Sequence, residues 1–74
     1  MVRMLNFMLK NHYSDHSIFD ISKNTGMSYS VASIYAKTLR ERGLIKLVRR
    51  LRNRYMYAVN HDRIEEINNF LNYG

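Results

Sequence analysis

The chain has 74 residues and can form one domain with a small core, since a domain of this size buries only about 60% of the surface that its unfolded chain exposes. The absence of cysteine excludes disulfides, thiolate metal sites and cysteine nucleophiles. The net charge of +6 is concentrated at positions 21–60, which hold nine basic residues and one acid, whereas the two flanks hold three basic residues and five acids. This polarity indicates a surface that binds a polyanion.

The first predicted element is a helix over positions 2–11, followed by a polar turn. Its apolar residues lie on most of its faces, and in so small a protein this pattern indicates a helix shared with a partner. The stretch "SIF" at 17–19 then predicts a token strand. Asp20 has the short acceptor side chain of a helix N-cap, and Gly26 suits the end of the helix that follows.

A second middle helix is predicted between an N-cap at Ser28 and a terminating glycine at Gly43. Its spacing places five residues on one inward stripe: Val31, Ala32, Tyr35, Ala36 and Leu39. The turn at "TGMS" joins this helix to the one before it, so the two are predicted to pack as a pair.

After Gly43 the pattern changes to that of a hairpin. The runs "LIKLV" (44–48) and "YMYAV" (55–59) predict two strands, and between them lies "RRLRNR", with Asn53 as the turn residue. Asn60 or Asp62 can then cap a last helix. The apolar residues of that helix are Ile64, Ile67 and Leu71, with Phe70 beside them. The predicted fold class is therefore mostly α with a small β-hairpin, in the order α-(β)-α-α-β-β-α.

The segment "ISKNTGMSYSVASIYAKTLRERGLI" resembles the helix-turn-helix and the start of the hairpin in winged-helix proteins. Ile21 matches the buried anchor of the first helix, Ser22 matches the small residue where the helices cross, and Gly26 matches the turn glycine. The stretch "LRERGLI" is similar to the one that leads into the wing in regulators of the MarR, ArsR and GntR types. The resemblance spans residues 18–59 and implies one winged helix-turn-helix domain over 1–74.

The resemblance also implies how such a chain would contact nucleic acid. The second middle helix would enter the major groove of DNA, and the hairpin, or wing, would lie along the backbone or enter the minor groove. The implied DNA-binding residues are Tyr29, Ser30, Ser33 and Lys37 in the helix and Arg50, Arg52, Asn53 and Arg54 at the wing tip. Arg49 is expected to lie beside the core instead.

We therefore expect sequence-dependent binding of double-stranded DNA by a transcriptional regulator. The apolar first and last helices are expected to form a homodimer. An RNA-binding winged helix and a protein-interaction module that uses the same fold are the alternatives. The small build and the composition also resemble those of regulators from archaeal viruses and plasmids.

Other classes of function find little support in the sequence. His12 and His16 have helical spacing but no third ligand, and there is no Gly-rich phosphate loop and no Ser/His/Asp constellation. We expect no enzymatic activity, no cofactor, no metal and no small-molecule effector. No apolar run approaches the ~18 residues of a membrane span, so we expect no membrane partner. The expected location is the cytoplasm, or the host cytoplasm if a virus or plasmid encodes the chain.

Overall fold

Four α-helices and one antiparallel β-hairpin make up residues 1–73, which are the residues that the computed structural model describes. In chain order the elements are α1 (Val2–Lys10), α2 (Ile18–Thr25), α3 (Tyr29–Glu41), β1 (Ile45–Leu51), β2 (Arg54–Val59), a short 3-10 turn (His61–Arg63) and α4 (Ile64–Tyr73). The predicted fold class, mostly α with a small β-hairpin, is confirmed. None of the helices within residues 1–73 is long and apolar enough to cross a membrane.

Helix α2 begins three residues earlier than the sequence predicts, and its N-cap is Ser17 rather than Asp20. The Ser17 hydroxyl accepts a hydrogen bond from the backbone N–H of Asp20 at 3.1 Å, and the Asp20 carboxylate accepts one from the backbone N–H of Ser17 at 3.2 Å. This capping box satisfies two N–H groups at the helix end. The predicted strand at 17–19 is wrong for the same reason, because these residues start the helix. The strand-like pairing lies one residue earlier, where His16 forms an isolated antiparallel bridge with Tyr57.

The turn between α2 and α3 ends one helix and caps the next, as predicted. Gly26 has a φ of 74°, in the left-handed region that glycine adopts without strain, and it ends α2. Ser28 caps α3 by accepting a hydrogen bond from the backbone N–H of Val31 at 3.2 Å. The hydroxyl of Ser22 donates to the carbonyl of Met27 at 2.6 Å, so this small side chain also holds the turn.

The inward side of α3 packs against the rest of the core. Ala32, Ala36 and Leu39 are buried, and the half-buried Tyr35 packs against the same cluster. Val31 is exposed, so its predicted place on the inward stripe is wrong. It lies on the first turn of α3, one helical turn before Tyr35, which is itself at the margin of the core.

Helices α1 and α4 contribute to the same core. Met4, Leu5 and Met8 of α1 and Ile67 of α4 are fully buried. Further apolar side chains of these two segments are only half-buried against the core: Met1, Phe7, Leu9, Ile64, Phe70 and Leu71. Each helix therefore has one face in the core of this chain and keeps other apolar side chains partly open to solvent.

The strands of the hairpin extend further than the sequence predicts, up to a two-residue turn at 52–53. The ladder continues to the Leu51–Arg54 pair at the tip and has one irregularity between Leu47 and Arg49. Four of the six residues in "RRLRNR" therefore lie in strands, because a hairpin with a two-residue turn keeps its pairing up to that turn.

The two ends of the hairpin are tied to each other by a side chain. Gly43, with a φ of 76°, follows the end of α3 and leads into β1. The side-chain amide of Asn60 donates to the Gly43 carbonyl at 2.8 Å, and its oxygen accepts from the backbone N–H of Asp62 at 3.2 Å. Asn60, one of the two predicted caps, therefore caps the 3-10 turn that precedes α4.

Candidate nucleic-acid interface

The outer side of α3 is open to solvent. All four helix residues that the sequence assigns to DNA binding are exposed: Tyr29, Ser30, Ser33 and Lys37. Ile34 lies among them and is also exposed. Hydroxyl groups, one aliphatic side chain and one ammonium group are therefore available on this side, and these groups suit base edges and phosphates.

The tip of the wing carries a cluster of exposed cations. The predicted wing residues Arg50, Arg52, Asn53 and Arg54 are all exposed. Arg50 pairs with Tyr55 across the hairpin, and its guanidinium carbon lies 5.1 Å from the centre of the Tyr55 ring. This cation–π contact orients the side chain and leaves its positive charge in place.

Arg49 lies in a different environment from the arginines of the tip. Its Nε lies 2.6 Å from the Oδ2 atom of Asp15, in the loop that precedes α2. The charge of Arg49 is therefore compensated within the chain. The side chain of Asp15 is 24% exposed and that of Arg49 is 58% exposed, so Arg49 lies on the surface and its expected place beside the core is wrong.

Arg54 links the wing to the first turn of α2. Its guanidinium carbon lies 5.9 Å from the centre of the Phe19 ring. The neighbouring Asp20 carboxyl has a pKa below its usual value of 3.8, mainly because the backbone N–H of Ser17 donates to it. Burial opposes this shift, whereas the Ser17 side chain and the positive charge of Arg54 add to it. Asp20 is therefore ionised at neutral pH and attracts Arg54 towards α2.

A cleft of about 300 Å³ joins the two halves of the predicted site. It is lined by Ser17, Ile18 and Phe19 of the α2 start, by Tyr29 of α3, and by Asn53, Arg54 and Tyr55 of the wing. Tyr29 thus lines the same cleft as two predicted wing residues, although about 25 positions separate them in the sequence. Phe19 and Tyr55 were not predicted. Once α2 starts at Ile18, Ile18 and Ile21 lie on the inward side of the helix. Phe19, one position after Ile18, then lies on the outward side and is exposed.

A second groove, of about 470 Å³, lies between the later part of α3 and β2. Its lining residues are Ser33, Lys37, Arg40, Glu41 and Tyr57. Of these, only Ser33 and Lys37 were predicted. Arg40 and Glu41 lie three and four positions after Lys37, so helical spacing is the signal that could have found them. Tyr57 reaches the groove through the packing of the hairpin and has no local signal.

The remaining predicted residues belong to neither of these two depressions. Arg50 and Arg52 lie at the tip of the wing in a smaller depression of about 180 Å³, and Ser30 is exposed on α3. Among the described residues, no group of three or more His, Asp or Glu side chains is placed to hold a metal ion.

No protein-family model and no curated protein sequence matches the chain. Two solved structures from Mycobacterium bovis are similar to it. One is the solution NMR structure of the homodimeric winged helix-turn-helix DNA-binding domain (fragment 1–100) of a possible ArsR-family transcriptional regulator, with a TM-score of 0.74. The other is the crystal structure of a possible transcriptional regulatory protein (fragment 1–100), with a TM-score of 0.76.

Each structure is 23% identical in sequence and covers 92% of this chain, which in turn spans 63% of the first and 73% of the second. At this level of identity the likeness concerns the fold. It confirms the resemblance that the sequence pattern indicates: the chain has the winged helix-turn-helix fold.

Proposed function

We propose that this protein binds double-stranded DNA through α3 and the wing, and that it regulates transcription as a homodimer. The observation that carries the proposal is the cleft that joins Tyr29, at the start of α3, to Asn53 and Arg54 of the wing. Because of this cleft, Tyr29 of α3 and Arg54 of the wing border one continuous surface, which a duplex can contact at two places. The similar Mycobacterium bovis domain is a DNA-binding domain, which supports the proposal.

In the proposed complex α3 lies in the major groove, which is about 12 Å wide and admits a helix. Ser30 and Ser33 form hydrogen bonds with base edges, and Ile34 contacts a thymine methyl group. Lys37 pairs with a phosphate. The dependence of binding on sequence comes from this helix, because all four base pairs differ in the groups that they present in the major groove.

The wing supplies affinity that does not depend on sequence. Arg50, Arg52 and Arg54 are exposed, and each phosphate that such a side chain neutralises releases counterions from the DNA. Arg49 makes no such contribution, because Asp15 already compensates its charge. An arginine that enters the minor groove would favour the narrow groove of AT-rich sequences.

The homodimer is proposed to form through α1 and α4. Phe7, Leu9 and Phe70 are among the apolar side chains that these helices leave partly open to solvent. The similar Mycobacterium bovis domain is homodimeric. A symmetric dimer presents two α3 helices about one helical turn of DNA apart, or roughly 34 Å. We propose that it acts in the cytoplasm, or in the host cytoplasm if a virus or plasmid encodes the chain.

Selection of bound sequences from a random pool of duplexes tests the proposal. We expect the selected duplexes to share two half-sites whose centres are about 10 base pairs apart. Recovery of duplexes without any common motif would refute sequence dependence. Tighter binding of duplex RNA in competition would favour the RNA-binding alternative. Absence of binding to either duplex would refute the proposed function and leave the protein-interaction module.

A further inference from the structure

Three aromatic side chains remain exposed around one cleft. Phe19 of α2, Tyr29 of α3 and Tyr55 of β2 have exposed fractions of 55%, 59% and 47%, and all three line the cleft of about 300 Å³. Phe19 has no polar group for water to solvate, so its exposure costs free energy that burial would recover. The proposed contacts with duplex DNA use Tyr29, Asn53 and Arg54 but not Phe19 or Tyr55, which leaves two rings of this aromatic cleft without a role.

Two of these three rings each have an arginine guanidinium next to them. Arg54 lies over Phe19 and Arg50 lies over Tyr55, at 5.9 and 5.1 Å from the ring centres. Asn53 adds an amide to the lining. Proteins bind single-stranded nucleic acids with the same groups, since aromatic rings stack on bases and arginines pair with phosphates. Inside a duplex the faces of the bases are covered by neighbouring base pairs, so away from the duplex ends these rings can stack only on an unpaired base.

We propose that the aromatic cleft binds an unpaired nucleobase of DNA, so that the protein prefers duplexes with a single-stranded extension over blunt duplexes. This inference rests on the proposed function, because α3 and the wing hold the duplex from which the extension reaches the cleft. The cleft lies at the lower end of the size range of small-ligand sites, ~300–1,000 Å³, so it suits one base rather than a peptide or a helix.

The charge around the aromatic cleft determines which occupant fits. Arg50, Arg52 and Arg54 lie in or next to it. The same surface on a second copy of the chain would bring arginines against arginines, which disfavours self-association here. A DNA strand instead supplies a flat base for the rings and a negative phosphate for the arginines, so it complements both features.

Fluorescence anisotropy with labelled DNA tests the inference on the full chain. The probes are a blunt duplex, the same duplex with a short thymine extension at the 5′ or the 3′ end, and the same extensions with abasic sugars. We expect a thymine extension to raise the affinity at least about fivefold, which corresponds to ~1 kcal/mol of base stacking. The abasic extension has the same phosphates but no base, and should raise the affinity less than about twofold.

Substitutions in and outside the aromatic cleft assign the effect to it. Phe19→Ala should lower the ratio of extended-duplex to blunt-duplex affinity to about one. Tyr13→Ala is the matched control, because Tyr13 is 90% exposed and lies in a separate depression with His12 and His61. Phe19→Trp introduces the only tryptophan of the chain, and its fluorescence should be quenched by the thymine extension but not by the abasic one. A thermal melt of each variant shows that it is folded.

The outcomes separate this inference from the proposed function. Equal affinity for blunt and thymine-extended duplexes overturns the inference and leaves duplex binding intact. Equal gains from thymine and abasic extensions also overturn it, because the phosphates alone then explain the gain in affinity. Binding to none of the probes overturns both. Binding of the thymine-extended duplex that depends on Phe19, without binding of the blunt duplex, supports the aromatic cleft and overturns the proposed function.

Discussion

The salt dependence of DNA binding should distinguish the wing arginines that contact phosphates from the one that does not. Arg50, Arg52 and Arg54 are exposed, and within residues 1–73 none of them forms an ion pair within 4.0 Å. Each phosphate contact contributes about 0.9 to the slope of log affinity against log salt. Changing the three arginines together to alanine should therefore flatten the slope by roughly two to three units. Binding to selected and to random DNA should weaken to a similar extent.

The ion pair between Arg49 and Asp15 provides a matched control. Its two members lie 2.6 Å apart, and Arg49→Ala combined with Asp15→Ala removes one charge of each sign. The net charge of the protein is unchanged, and no contact with phosphate is lost. The salt slope should therefore change by less than about half a unit, which is under the value for one phosphate contact.

The helix residues should behave differently from the wing. Ser30→Ala combined with Ser33→Ala should leave the salt slope nearly intact and narrow the gap in affinity between selected and random DNA. The assay is a series of anisotropy titrations between about 50 and 200 mM salt. The assignment is refuted if the triple arginine variant keeps the wild-type slope, or if the two serine changes reduce the slope as much as the arginine changes do.

Three further predictions concern stability and assembly. Ala32→Arg should abolish the cooperative thermal melt, because an unpaired guanidinium at this fully buried position costs several kcal/mol of the ~5–15 kcal/mol that stabilises a domain. Val31→Arg, at the exposed neighbouring position, should leave the melt nearly unchanged, and the same melt for both variants would contradict the helix register. The pKa of Asp20 is lowered in the folded chain, so its charge stabilises the fold at pH values above the ordinary pKa of 3.8. This stabilisation is lost as the pH falls through the lower pKa of the folded chain. Asp20→Asn should therefore lower Tm at neutral pH, and the deficit should shrink in acid, whereas a constant deficit would show that the charge is irrelevant. Light scattering should give twice the chain mass of 8.9 kDa, and Phe70→Asp should lower the measured mass towards that of one chain. A folded wild-type monomer at micromolar concentration would rule out the dimer.

Local patterns in the sequence were sufficient to predict most of the secondary structure. Gly26 and Ser28 act on backbone groups within a few residues of themselves, and the spacing of Ala32, Ala36 and Leu39 identifies the buried side of α3. The start of α2 is one exception. Ser17 and Asp20 are both good caps, and only the folded backbone shows that Ser17 is the N-cap and that the two side chains act together in a capping box.

The exposed residues of the candidate site could be predicted because a helix and a hairpin each show their outer side in their own periodicity. Their partners could not be predicted in this way. Arg49 and Asp15 are 34 positions apart, and nothing near either residue indicates the pairing. The sequence indicates that the tip of the wing is basic. The packing of the folded chain determines which of its arginines have an acidic partner.

The sequence by itself determined a basic helix-turn-helix followed by a hairpin with arginines at its tip, because short-range spacing, capping residues and composition specify each of these elements. Only the tertiary structure decided that Phe19, Tyr29 and Tyr55 line one cleft. The bridge between His16 and Tyr57 holds β2 beside the start of α2, so the wing, the first turn of α2 and Tyr29 of α3 border one cleft. The aromatic cleft exists because of this contact between distant segments, whose geometry no local pattern contains.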